Sequence, residues 1–198
     1  MENSGYTLIA GLGNIGEKFH HTRHNLGFNL VDFIANQLDL LDYQHRIKET
    51  DTYWALVIPE IKIILTKPKT MMNLSGKAIR QLKSEYGINN TDIYIAYDDL
   101  DISLGKFKIQ YSKSPKKHNG VESIIKEGIG KDFNHIRIGS DNRISRLIPG
   151  IKYVLSKLTT EERNQVEQIF PEILLELIAR INLKLPGFSV PKRLPLAA

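Results

Sequence analysis

Tyr6-Thr7-Leu8-Ile9-Ala10-Gly11-Leu12-Gly13-Asn14-Ile15-Gly16 is a short apolar run that breaks on three glycines, followed within Asn25 to Leu41 by Leu30, Ile34, Leu38 and Leu41 at helical spacing. A run of strand length followed by a 3.6-residue apolar period predicts strand, loop and helix in that order. Tyr53 to Ile58 and Ile61 to Leu65 are rich in β-branched residues around Pro59-Glu60, which predicts a hairpin. A second helix is expected from Ser75 to Glu85, stopping at Gly87. Further on, Ile93 to Tyr97 and Lys106 to Gln110 read as strands, and His118 to Gly128 as a helix. His135 to Gly139 reads as a strand whose His-Ile-Arg-Ile alternation predicts one polar face. Thr159-Thr160-Glu161-Glu162 is a capping box that opens a last helical stretch, and Pro171 restarts or kinks it ahead of Ile173, Leu174, Leu177, Ile178 and Ile181. The pattern is mixed α/β.

A chain of 198 residues falls in the range of one domain and can bury a core without staples. The domain is expected over 1–185, with a loose proline-containing tail over 186–198. The absence of cysteine removes disulfides, thiolate metal sites and thiol nucleophiles. A formal charge of +5 suits a polyanionic partner, although charge alone does not separate nucleic acid from ordinary solubility. Met1 to Thr7 is too short and polar for a signal peptide, and no apolar run approaches the ~18 residues of a membrane span. A soluble cytoplasmic protein is expected, with the mitochondrial matrix as the alternative.

Four polar clusters carry the chemistry: Thr22-Arg23-His24-Asn25, Met72-Asn73-Leu74-Ser75-Gly76, Asp98-Asp99-Leu100-Asp101 and His118-Asn119-Gly120. One histidine, one carboxylate and several asparagines, with no serine or cysteine nucleophile in a recognisable setting, describe a site that activates water directly and holds a carbonyl by neutral amides. Gly11-x-Gly13-x-x-Gly16 after a strand is formally the dinucleotide fingerprint. Its context argues otherwise, because Glu17 to Arg23 is polar and aperiodic and no helix opens at Gly16; a turn that presents Asn14 is the better reading, and a tight turn with no chemical task the bland one. His20, His21 and His24 precede the helix start and lack the zincin glutamate, so no metal is expected there. Lys106, Lys108, Lys113, Lys116 and Lys117 read equally as a solvated face or as phosphate contacts, and His118 equally as a helix cap.

Taken together, Gly11-x-Gly13-Asn14-x-Gly16, Thr22-Arg23-His24-Asn25-x-Gly27, Met72-Asn73-Leu74-Ser75-Gly76, Asp98-Asp99-Leu100-Asp101 and His118-Asn119-Gly120 resemble the bacterial-type peptidyl-tRNA hydrolase family, organellar relatives included, from about Tyr6 to Ile181. The resemblance implies a single-domain α/β monomer with a twisted mixed sheet flanked by helices and with C-terminal helices. It implies hydrolysis of the ester between a peptide and the 3′-terminal ribose of tRNA, without cofactor, metal or obligate protein partner. His24 would be the base, Asp98 its orienting carboxylate, and Asn14, Asn73 and Asn119 the amides that position peptide, carbonyl oxygen and water. Phe19, Met72, His118, Lys108, Lys113, Lys116, Lys117 and Arg137 would contact the substrate, with Met72 in the cleft wall.

That chemistry is coherent: a histidine with a reference pKa near 6.5 is mostly neutral at cytoplasmic pH, and a carboxylate on one ring nitrogen leaves the other free to take a proton from water. The sequence departs from the family at Ile15, where proline is usual, at Phe19, where tyrosine is common, and at Gln110, often basic in relatives. Ser112 to Lys117 replaces a glycine-rich approach to His118, and Ser140-Asp141 replaces a further Ile-Gly. These departures fall on the tRNA side rather than on the base. The rivals are a relative of the same fold that binds RNA without cleaving it and, more distantly, a nicotinamide-dependent oxidoreductase.

Overall fold

The computed structural model describes residues 5–39, 41–144 and 147–183. Leu8 and Ala10 point into one apolar cluster and Ile9 into another, so the strand Thr7–Gly11 (β1) is covered on both faces. A continuous apolar run of strand length suits that environment. β1 pairs in parallel with Ile63–Pro68 (β4) on one side and with Ile93–Ser103 (β5) on the other. With Arg46–Glu49 (β2), Tyr53–Ile58 (β3), Phe107–Tyr111 (β6) and Asn134–Asp141 (β7), the sheet order is β2-β3-β4-β1-β5-β7-β6. β5 and β7 are parallel, whereas β2–β3, β3–β4 and β6–β7 are antiparallel, so the sheet is mixed, as expected.

Leu26–Asp39 (α1) turns Leu26, Leu30, Val31, Ile34 and Leu38 toward one sheet face, where Thr160–Glu167 (α5) and Phe170–Arg180 (α6) add Val166, Phe170, Ile173 and Leu177. Ser75–Tyr86 (α2) and Asn119–Ile124 (α3) cover the other face with Ala78, Ile79, Leu82, Val121 and Ile124. From β1 the chain continues to strands on one side of the sheet and from its neighbour β5 to strands on the other, which makes the crevice between the ends of β1 and β5 a topological switch point. In open α/β sheets that is where a cleft forms. No helix among the described residues is long and apolar enough to cross a membrane.

Several expectations shift in informative ways. α1 begins at Leu26 rather than Asn25, because Arg23–Asn25 forms a separate 3₁₀ turn. β5 runs on to Ser103, past Tyr97, because partners reached through the tertiary fold satisfy its two buried aspartates, Asp98 and Asp99. The polar face expected on β7 exists but does not meet water: His135 and Arg137 are buried against Tyr97 and Asp99 of β5. The helix expected to reach Gly128 leaves α-geometry after Ile124 and becomes a π-turn over Ile125–Ile129, where Gly128 has φ 84°. β2 and Gly150–Val154 (α4) carried no periodic signal. The capping box at Thr159 and Glu162, the proline in the first turn of α6 and the left-handed Gly87 that ends α2 are all found. The tail at 186–198 lies outside the described residues.

Gly27 decides how closely α1 can approach the ends of β1 and β5. A Cβ there would overlap the Ala96 carbonyl oxygen and lie 2.5 Å from the Leu12 nitrogen, the two atoms that bond each other at 2.8 Å. Because both neighbours are backbone, Gly27→Ala is expected to cost about 3 kcal/mol, at the upper end of overpacking effects. Urea denaturation of the variant against wild type measures it.

Candidate active site

Asp98 lies two residues beyond Ala96, the last β5 position paired with β1, and so stands at the rim of the parallel core. It is 2% exposed, and two imidazoles reach its Oδ1 from different segments. His24 donates from Nδ1 at 2.6 Å, carried by the 3₁₀ turn that leads into α1. His118 approaches with Nε2 at 3.2 Å from the start of α3, and its Nδ1 accepts the backbone N–H groups of Gly120 and Val121. The two rings lie 5.0 Å apart, centroid to centroid. Burial by itself pushes the Asp98 carboxyl up, but the charge and hydrogen bonds of His24 and His118 outweigh it and hold the group well below the usual carboxylate range. Asp98 is therefore an anion at neutral pH. Nε2 of His24 has no hydrogen-bond partner among the described residues, and the side chain keeps 9% exposure.

Asn14 and Asn25 hold the turn that presents His24. The Asn14 N–H donates to Asn25 Oδ1 at 2.8 Å, and Asn25 Nδ2 donates to the Asn14 carbonyl at 3.0 Å. The Asn14 side chain accepts the Met72 N–H at 2.8 Å through Oδ1, and its Nδ2 has no hydrogen-bond partner among the described residues. Arg23, next to the base, is anchored away from it: its guanidinium bonds Glu162, Ser156, Asn142 and the Lys157 carbonyl, and stacks 4.2 Å from the Tyr153 ring centroid. Glu162 also closes the capping box of α5, so the C-terminal helices brace the turn that carries His24. Asn25 was legible only as part of its motif; its role as a strut depends on a contact eleven positions away.

The remaining expected residues divide into those at the rim and those withdrawn from it. Met72 is buried beside Gly120, where a Cβ would lie 2.6 Å from its sulfur, and this contact joins the turn Met72–Leu74 to the start of α3. Asn73 on that turn is exposed and Asn119 is half-buried; neither hydrogen-bonds His24 or Asp98, which leaves both amides available to a ligand. Phe19 is half-buried with the Lys18 ammonium 4.9 Å from its ring centroid. Lys108, Lys113, Lys116 and Lys117 are exposed, and Lys116 makes only a loose 3.7 Å pair with Asp101. Arg137, expected at the substrate, is instead buried, with Nε on Asp99 at 2.7 Å and a second nitrogen on Gln110 at 3.0 Å. Gln110 thus serves Arg137, and His118 faces Asp98 and the α3 backbone.

His24, Asp98 and His118 form the one group among the described residues with three side chains near enough to share an ion, their ligand atoms lying within 4.8 Å. The 2.6 Å separation of His24 Nδ1 and Asp98 Oδ1 is that of a hydrogen bond. Two ligands at tetrahedral angles with bonds of about 2.1 Å stand about 3.4 Å apart. Nor do the glycines of the first turn cradle a pyrophosphate. A Cβ on Gly13 would lie 2.6 Å from the Phe28 ring, and one on Gly11 would overlap the Gly27 carbonyl, so these glycines admit α1 instead.

The fold and this site define a three-layer α/β protein with a histidine–carboxylate pair at the C-terminal ends of its central strands. The chain belongs to the peptidyl-tRNA hydrolase family, whose model matches residues 8–185. It is similar to the peptidyl-tRNA hydrolase of Shouchella clausii, 42% identical over 78% of this chain and 82% of that one. The Bacillus subtilis peptidyl-tRNA hydrolase is 37% identical over 81% and 84% respectively. Among solved structures, the peptidyl-tRNA hydrolase of Acinetobacter baumannii superposes with a TM-score of 0.74 at 27% identity, covering 92% of this chain and 95% of that one. A peptidyl-tRNA hydrolase in complex with N-propanol gives 0.77 at the same identity, over 92% and 91%.

Behind the site, the Tyr97 ring packs 4.8 Å from His118 and its hydroxyl donates to His135 Nδ1 at 3.0 Å, while His135 stacks on Phe133. Burial, more than any neighbour, pushes His135 down from 6.5 to about 4. The unfolded chain therefore binds a proton below about 6.5 that the folded protein refuses until about 4. This contribution to stability is present above 6.5 and is lost as the pH falls toward 4, by up to about 3 kcal/mol. Denaturation at pH 7 and pH 5 should show the loss in wild type and a flatter dependence in His135→Gln.

Proposed function

We propose that this chain is a peptidyl-tRNA hydrolase, cleaving the ester between a peptide and the 3′-terminal ribose of tRNA with water activated by His24. The observation that carries the reading is the 2.6 Å bond from His24 Nδ1 to buried Asp98, the one side-chain hydrogen bond His24 makes among the described residues, which leaves Nε2 open. Nε2 takes a proton from water as its oxygen attacks the ester carbonyl, and Asp98 stabilises the imidazolium that results. The free amide ends of Asn14, Asn73 and Asn119 supply neutral donors for the carbonyl oxygen as it gains charge, an effect of about 2.7–4 kcal/mol per donor in other hydrolases. When the carbon–oxygen bond to the ribose breaks, the imidazolium returns its proton to the leaving 3′-oxygen. The products are a peptide carboxylate and free tRNA, and no covalent intermediate is needed because an ester is already activated.

Family membership and the named relatives support the substrate class. The reading of a non-catalytic RNA-binding relative is not favoured, since the base and its carboxylate stand in working geometry. The exposed lysines near α3 supply tRNA-backbone contacts that are independent of sequence. The proposal includes action as a monomer in the cytoplasm, with the acceptor end of the tRNA entering beside residues 113–117.

Release of free tRNA from peptidyl-tRNA tests the chemistry. His24→Ala should lower kcat by at least ~10²-fold while tRNA binding survives, and Asp98→Asn should also lower kcat, because an amide cannot stabilise the imidazolium. Near wild-type turnover without His24 would defeat the proposal. Replacing Lys116 and Lys117 together by alanine should raise KM and flatten the dependence of log affinity on log salt by ~0.7–0.9 for each phosphate no longer neutralised, leaving kcat nearly intact. The loose pair of Lys116 with Asp101 offers little to offset that change. An unchanged slope would remove these lysines from the interface.

A further inference from the structure

Two imidazoles address one carboxylate oxygen, and they differ in what their opposite nitrogens meet. Nδ1 of His118 receives the N–H groups of Gly120 at 3.2 Å and Val121 at 3.4 Å, the uncapped donors at the start of α3. A proton on that nitrogen would point at two other donors. The ring proton therefore belongs on Nε2, where it is given to Asp98 at 3.2 Å.

We infer that His118 is a positioning residue whose tautomer is locked by the α3 backbone and whose Nε2–H, by sharing Asp98 with His24, sets the pH range in which His24 works. The inference rests on His24 as the base and moves His118 from substrate contact to control of that base. A carboxylate that already accepts one N–H is a weaker partner for a second donor, so sharing Asp98 makes the His24 imidazolium less stable and extends activity toward acid. The surrounding charged and titratable groups do not compete for the oxygen. On β5 and β7, Tyr97 is bonded to His135 and Asp99 to Arg137; beside the base, Arg23 is held by Glu162. At the start of α3, Lys116 faces Asp101, while Lys117 and Glu122 are exposed.

Two substitutions separate the roles. His118→Asn places a carbonyl oxygen where Nδ1 caps α3 but falls short of Asp98, whereas His118→Gln brings an amide N–H toward Asp98 and gives up the cap. In the pH profile of kcat/KM on peptidyl-tRNA, the acidic limb of His118→Asn should move upward by about half a pH unit with little change in Tm. His118→Gln should keep the wild-type limb with a lower Tm. The titration of His24, followed by imidazole NMR, should show the same displacement without any substrate, so a failure of the peptidyl-tRNA assay in wild type would reject the proposed substrate and not this inference. Nitrogen NMR of wild type should find the His118 proton on Nε2. A proton on Nδ1 at neutral pH, or an acidic limb that His118→Asn leaves in place, would overturn the proposal; the first measurement stands even if a variant fails to fold.

Discussion

The buried anion of Asp98 is the constraint around which the site is arranged. A carboxylate taken out of water must be surrounded by donors, and here two imidazoles from separate segments do that work. His24 comes from the turn ahead of α1, on one face of the sheet, and His118 from the start of α3, on the other. Neither segment could approach unless β5 continued past the end of β1, and that extension is possible because Asp98 and Asp99 each find a partner.

Amides join the loops around the anion, beside the packing of Met72 against Gly120. Asn25 bonds both backbone groups of Asn14, and Asn14 bonds the Met72 backbone, so three segments distant in sequence share one rigid arrangement. Such bonds are directional and hold geometry in a way that apolar contact does not, which is the property a catalytic site needs. Arg23 extends the arrangement to α5 through Glu162 and to the loop after β7 through Asn142. The helix-capping carboxylate and the turn that carries His24 are thereby linked, and the C-terminal helices support the site without touching His24 or Asp98.

Where sequence reading succeeded, the physics was local. The glycine-broken strand, the apolar stripe of α1, the hairpin of β3 and β4, Gly87 after α2 and the capping box of α5 all follow from neighbouring residues. It fell short at β2, whose Arg-Ile-Lys-Glu is exposed on a sheet edge and has no buried face to impose a period. β7 has the strand and the polar face that its sequence predicts, and only the burial of that face was illegible. Its polar alternation ordinarily marks a solvated face, but His135 and Arg137 are paired with side chains of β5 and can be buried.

The residue types of the site, and their order along the chain, were determined by the sequence alone, because motif and composition name the available chemistry: a histidine, a carboxylate, amides and no thiol. Which ring nitrogens of the histidines are taken, which end of the Asn14 amide is held and whether Arg137 is buried were decided only by the tertiary structure. Each depends on hydrogen-bond partners far away in the chain: Asp98 for His24, Met72 for Asn14, Asp99 for Arg137. A polar side chain has no role until its partners are known, since the same group is a reagent when one of its atoms is free and a strut when all are taken.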